Sequence, residues 1–185
     1  VPTHLAAGLP PLEQAGCRVR TWRDAVAITV PERLGSLGWV RTMPYPGFPT
    51  DAQAPLMAAA LRADGTTVFT ETIFQNRYRH VSEMARMGAR VRTEGRVAIV
   101  TGVPRLHGAS VRCTDLRGGA ALCAAALAAE GQSVIAEIHH IERGYEHLDE
   151  SLRQLGANIT RSDHETEAEE TQTEQPTTSE EGAGA

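Results

Sequence analysis

Small and apolar residues along the chain fall into long alanine-rich stretches and short β-branched ones, and the alternation repeats. Thr50-Asp51 opens an alanine-rich stretch ending in Ala63-Asp64-Gly65, and Thr114-Asp115 opens another ending in Ala129-Glu130-Gly131. Both read as helices, each followed by a glycine that suits a left-handed cap. A short strand is predicted after each glycine, Thr67 to Ile73 and Ser133 to Ile138, with Glu71 and Glu137 at matching places. Each strand leads to a loop arginine twelve residues past its glycine, Arg77 after Gly65 and Arg143 after Gly131. Amphipathic helices near Tyr78 to Met87 and Tyr145 to Leu155 come next, each again closed by a glycine.

The joints after those helices read Met87-Gly88-Ala89-Arg90-Val91 and Leu155-Gly156-Ala157-Asn158-Ile159, and an early third copy reads Ala15-Gly16-Cys17-Arg18-Val19. A strand is predicted after each. With Val97 to Val103 and Ser110 to Cys113 as further strands, the pattern gives two full units and one truncated unit, each β-α-β-α-β-β in kind. The fold class is therefore α/β (α+β), one repeat-built domain over residues 1–161. Its first unit looks cut short, since Val1 falls at or inside a helix that Pro10-Pro11 would interrupt, so the chain is expected to begin mid-domain, as a fragment of a longer product.

Composition changes this picture only at the far end. Residues 162–185 hold eight of the 23 acidic residues and no Ile, Leu, Val or aromatic residue, so disorder is expected there. The remaining 15 acids face 18 arginines, and the chain has no lysine, so the folded part is basic although the whole chain carries −5. Arginine forks suit phosphate and carboxylate. Three cysteines without CxxC spacing fit a reducing cytoplasm, and no apolar run is long enough to cross a membrane. His139, His140 and His147 lack the spacing of a metal site, so no metal is expected.

Asp51 follows Pro44-Tyr45-Pro46-Gly47-Phe48-Pro49-Thr50, a stiff segment expected to run extended into the next helix, with Pro55 in that helix's first turn. Its carboxylate could cap that helix or act as a base. Asp115 has the same two readings, and Gly118-Gly119 before the Ala120 to Ala129 helix would let a ligand approach backbone N–H groups. Arg143, between a strand end and a helix start, is either a solvated loop residue or a ligand group.

Together, PYPGFPTD (Pro44 to Asp51), ETIFQNR (Glu71 to Arg77), TDLR (Thr114 to Arg117) and HIERGYE (His140 to Glu146) resemble the UDP-N-acetylglucosamine 1-carboxyvinyltransferases, from about Leu12 to Arg161. The resemblance implies a two-domain enzyme of threefold-repeated units, the inside-out α/β barrel type, of which this chain supplies most of the C-terminal domain. It implies transfer of the enolpyruvyl group of phosphoenolpyruvate to the 3-hydroxyl of UDP-N-acetylglucosamine, the first committed peptidoglycan step, without metal or organic cofactor. By the same resemblance Asp51 is the base, Asp115 lies beside the reacting carbons and Arg143 meets the phosphoenolpyruvate anion. Ile73 and Phe74 lie near the nucleotide sugar, and Arg77 and Arg117 are supporting groups. The family's lysine-asparagine pair and its loop with the acid have no counterpart here, so the isolated chain is expected to be inactive without an N-terminal domain. The expected partners are the two substrates and that domain, with no nucleic acid and no membrane. Two alternatives remain at this point: a non-catalytic binding module, or a paralogous enolpyruvyl transferase with another acceptor.

Overall fold

The computed structural model describes residues 2–162. Val1 and residues 163–185, nearly all of the segment expected to be disordered, lie outside the described residues. The chain opens with a 3-10 turn, Pro2–Gly8, that runs into helix α1, Leu9–Gln14. Pro10 and Pro11 sit in the first turn of α1, where a missing N–H costs no helical hydrogen bond, so they start this helix rather than interrupt it. Gly16, with φ of 93°, then turns the chain into an antiparallel hairpin of β1, Arg18–Thr21, and β2, Val26–Thr29.

The second unit has the anticipated order. It comprises β3 (Trp39–Arg41), α2 (Thr50–Ala60), β4 (Thr66–Thr70), α3 (Val81–Arg86), β5 (Arg90–Glu94) and β6 (Val97–Thr101). Its sheet runs β3-β4-β6-β5, with β3 parallel to β4 and the other neighbours antiparallel. After the two-residue β7 (Leu106–His107), the third unit begins with β8 (Ser110–Arg112) and α4 (Leu116–Leu127). Then come β9 (Ala129–Glu130), parallel to β7, and β10 (Val134–Ala136), parallel to β8, followed by α5 (His139–Glu142) and α6 (Leu148–Gln154).

Several expectations are corrected by tertiary partners. The α2 and α4 helices stop short of Gly65 and Gly131: the Asp64 N–H donates to the Leu34 carbonyl at 2.6 Å, and Ala129–Glu130 join a ladder as β9. No strand follows Gly156 among the described residues. Arg18–Thr21 and Arg90–Glu94 each pair with the strand that follows them, whereas Ile159 is followed by Thr160-Arg161-Ser162 and its carbonyl accepts from Arg153 Nε at 3.2 Å. The segment before Asp51 is not extended. It doubles back through a turn in which the Gly47 N–H donates to the Pro44 carbonyl and the Met43 N–H to the Phe48 carbonyl. Pro55 lies past the first turn of α2 and so cannot donate to the carbonyl of Asp51.

The core forms where α2 packs on α4 and on strands β4 and β6 of the four-stranded sheet. Met57 and Leu61, Phe69 and Val100, Met84 and Met87, and Leu122 are fully buried there. Each such side chain contributes about 1.5–3 kcal/mol on leaving water. The apolar α4 buries Ala121, Leu122, Cys123 and Ala125, and Cys123 behaves as a small hydrophobe whose thiol burial pushes up to about 11. Close packing of this kind requires glycine at position 102, where a Cβ would lie 1.6 Å from the Ala63 carbonyl oxygen. We therefore expect Gly102→Ala to lower unfolding free energy by about 1–3 kcal/mol in urea melts; an unchanged midpoint would contradict this packing.

Candidate active site

The site starts from a buried carboxylate. Glu71, at the end of β4 and 1% exposed, accepts from the hydroxyls of Thr42 (2.9 Å) and Thr50 (2.8 Å) and from the N–H groups of Ile73 (2.7 Å) and Phe74 (3.1 Å). Burial pushes its proton affinity up, but the bonds from Thr50, Ile73, Phe74 and Thr42 outweigh that and hold its pKa below the ordinary value. Three segments are tied at this one group: the end of β3, the first residue of α2, and the turn leading to Arg77. Its repeat counterpart Glu137 does nothing similar, being exposed and paired with His139.

With Thr50 pinned, Asp51 projects from the second position of α2. No side-chain cap is present on that helix, whose N-cap is Pro49, so the capping reading of Asp51 is overturned. Arg77 Nη2 donates to Asp51 Oδ1 at 2.9 Å, and Arg117 Nη2 donates to Oδ2 at 2.9 Å. The bond from Arg117 is the strongest influence on the Asp51 pKa and, with Arg77, lowers it despite partial burial. Each guanidinium is itself held: Arg77 lies over the Phe74 ring at 5.0 Å, and Arg117 Nη1 donates to the Tyr145 hydroxyl at 3.2 Å. Asn76 adopts φ of 55°, a left-handed turn that Asn tolerates, just before Arg77.

Asp115 takes the role that Asp51 does not. It is the N-cap of α4, and its Oδ1 accepts from the N–H groups of Arg117 (3.0 Å) and Gly118 (2.8 Å). Gly118 and Gly119 are consequently inside the helix and buried, not in a ligand-approach loop. Gly119 serves packing, since a Cβ there would meet Ile141 at 2.7 Å and the Cys113 sulfur at 2.9 Å.

An open depression of about 520 Å³ lies between the second and third units. Asp51, Asp115, Arg77, Arg117 and Arg143 line it, together with Arg79 and His140. Arg143 and Arg79 form no ion pair among the described residues, so four arginines face two carboxylates and the cavity is cationic. Ile73 and Phe74 do not line it; they are exposed beside Arg77, with Phe74 as its stacking partner. Sequence reasoning missed Arg79 and Glu71's tie. Arg79 had no repeat counterpart to flag it, and a glutamate enclosed by Thr, Ile and Phe was the available signal for a buried acceptor.

His80 sits beneath this cavity, fully buried, with neither ring nitrogen hydrogen-bonded. Burial is the main cause that pulls its pKa from 6.5 to about 4, against the opposing pull of Asp115. Folded His80 is thus neutral where unfolded His80 takes up a proton, so stability falls as pH drops from 6.5 toward about 4. The depressed carboxylates Asp51 and Glu71 act in the same direction at lower pH: their stabilisation is present above their ordinary values and is lost as pH falls through and below them. Urea melts of the chain are expected to lose about 3 kcal/mol across the His80 window, and His80→Gln to flatten the slope; equal slopes in both proteins would exclude His80 as its source.

Comparison with known proteins places these residues in a wider context. The model of the family EPSP synthase (3-phosphoshikimate 1-carboxyvinyltransferase) matches residues 4–152. UDP-N-acetylglucosamine 1-carboxyvinyltransferase 1 of Symbiobacterium thermophilum is 50% identical over 161 residues, covering 87% of this chain and 36% of that protein. UDP-N-acetylglucosamine 1-carboxyvinyltransferase of Desulfofundulus thermocisternus is 46% identical over 165 residues, covering 89% of this chain and 68% of that protein. The chain thus spans little more than a third of the first relative and about two thirds of the second. Among solved structures, the enolpyruvyl transferase NikO from Streptomyces tendae matches 84% of this chain and 36% of its own at a TM-score of 0.77 and 32% identity. An EPSP synthase from Acinetobacter baumannii shares the fold, at a TM-score of 0.60 and 18% identity over 85% of this chain and 37% of its own.

Proposed function

Because the chain belongs to the EPSP synthase family, we propose that it supplies part of the active site of an enzyme moving the enolpyruvyl group of phosphoenolpyruvate onto the 3-hydroxyl of UDP-N-acetylglucosamine, releasing phosphate. The setting is the cytoplasm and the product feeds peptidoglycan synthesis. The observation that carries this reading is a cationic cavity lined by Asp51, in a chain whose relatives are named for that reaction.

The sugar hydroxyl adds to C2 of phosphoenolpyruvate, losing its proton as C3 gains one; loss of that proton equivalent from C3 with departure of phosphate then restores the double bond. Asp51 accepts the hydroxyl proton. Arg143 and Arg79, with no carboxylate partner among the described residues, hold the phosphoenolpyruvate anion, and Arg77 and Arg117 support it. Asp115 fixes Arg117 through the helix cap and lies at the cavity wall beside the reacting carbons. Ile73 and Phe74 give the nucleotide sugar an apolar edge next to Arg77. The acid for C3 and the remaining cations come from a further domain, so the isolated chain is expected to release no phosphate from the two substrates. The reading requires neither metal nor organic cofactor.

The likeness to NikO, an enolpyruvyl transferase of a different name, favours a second reading in which the acceptor is not UDP-N-acetylglucosamine. Identities of 46–50% to the nucleotide-sugar enzymes weigh against it. In an enzyme containing this chain and its further domain, Asp51→Asn is expected to leave the Kd for UDP-N-acetylglucosamine within a few fold and to lower kcat by roughly 10²–10⁴. Near-normal turnover would reject the base, and failure of calorimetry to detect the nucleotide sugar at millimolar concentration would reject the acceptor.

A further inference from the structure

Asp51 is bound in a way at odds with the task assigned to it. Both of its oxygens are occupied, each by a different arginine at 2.9 Å, and the arginines come from different repeats. A carboxylate in that state is a weak base, because taking a proton means giving up two charge-assisted hydrogen bonds. Yet its side chain is about half exposed, at 55%, and each guanidinium has a second contact besides Asp51, Arg77 over the Phe74 ring and Arg117 on Tyr145. Each arginine therefore retains a contact when Asp51 leaves.

Resting on the reading above, we infer that the Asp51 carboxylate is an internal stand-in for a substrate anion in the Arg77–Arg117 cradle, and that an entering carboxylate or phosphate frees Asp51 by taking over both arginines. Charge and access support the exchange. The cradle opens on the depression where Arg79 and Arg143 have no carboxylate partner among the described residues, so an anion is drawn toward it by the surplus of arginines over Asp51 and Asp115. Asp51 sits at the exposed start of α2, and among the described residues Arg77 and Arg117 alone hold its oxygens, so it can swing aside. The groups facing it are Arg77 from the turn before α3, Arg117 and Asp115 from α4, and Arg79, His140 and Arg143 across the cavity; Tyr145 lies behind Arg117. Arg77 and Arg117 are in this sense positioning residues that set when Asp51 can accept a proton. The base is weak while the site is empty and strengthens only when the second reactant's anion is in place, which guards against unproductive deprotonation.

The test is the titration of the Asp51 carboxyl carbon by NMR in the 185-residue chain, with phosphoenolpyruvate or inorganic phosphate at saturation, and with chloride at equal ionic strength. Losing two arginines at hydrogen-bond distance raises a carboxylate's midpoint by about one to three units. That rise is expected with either anion and not with chloride. In the Arg77→Gln, Arg117→Gln double variant the midpoint is expected to be high already and to move little. Calorimetric binding of either anion without movement of Asp51 overturns the exchange and leaves the reaction assignment standing. No binding of either anion also overturns it, whereas loss of UDP-N-acetylglucosamine binding by the longer enzyme bears on the reaction assignment alone.

Discussion

The bidentate pairing of Asp51 with Arg77 and Arg117 is the contact through which the rest of the cavity is organised. Arg77 belongs to the second repeat and Arg117 to the third, so a single carboxylate joins two units whose cores meet where α2 packs on α4. Asp51 and Arg117 occupy the second position of those two helices. A carboxylate at a helix start is favoured by the helix dipole, whereas an arginine there is not. Asp115 offsets that cost for α4 by capping its N–H groups, and Asp51 offsets it again across the interface.

The repeats share a scaffold and divide the chemistry. Matched by helix position, the partner of Asp51 is Arg117, two residues beyond the Thr-Asp pair that both sequences carry. Glu71 ties the end of β3, the start of α2 and the turn before Arg77 into one rigid corner, while Glu137 is left at the surface. Identical-looking sequence thus produces a clamp in one unit and a cap in the other. The difference arises because Pro49 occupies the cap position of α2, whereas an extended Asp115 occupies that of α4.

Much of the scaffold was legible because glycine and alanine advertise it. Gly16, Gly65, Gly88, Gly131 and Gly156 all adopt positive φ, as their places after helices implied, and the alanine-rich stretches are the buried helices. Legibility ended where a tertiary partner decides the local outcome. Helix propensity through Ala63 and Ala129 yields to hydrogen bonds with Leu34 and with β7, and the residues after Gly156 join no strand among the described residues. Asp51, Asp115, Arg77, Arg117 and Arg143 do converge on one cavity, although the sequence left open which aspartate caps and which faces the arginines. Glu71 was legible as a repeat position and Arg79 not at all, and neither role could be read, because each depends on which way a loop turns.

Competition between an anion and Asp51 for the same two arginines is visible most directly in a crystal structure of the chain soaked with phosphoenolpyruvate. That competition predicts a carboxylate or phosphate oxygen within hydrogen-bond distance of Arg77 and Arg117, with Asp51 moved off both. An anion bound in the cavity while Asp51 keeps its two 2.9 Å contacts would contradict it.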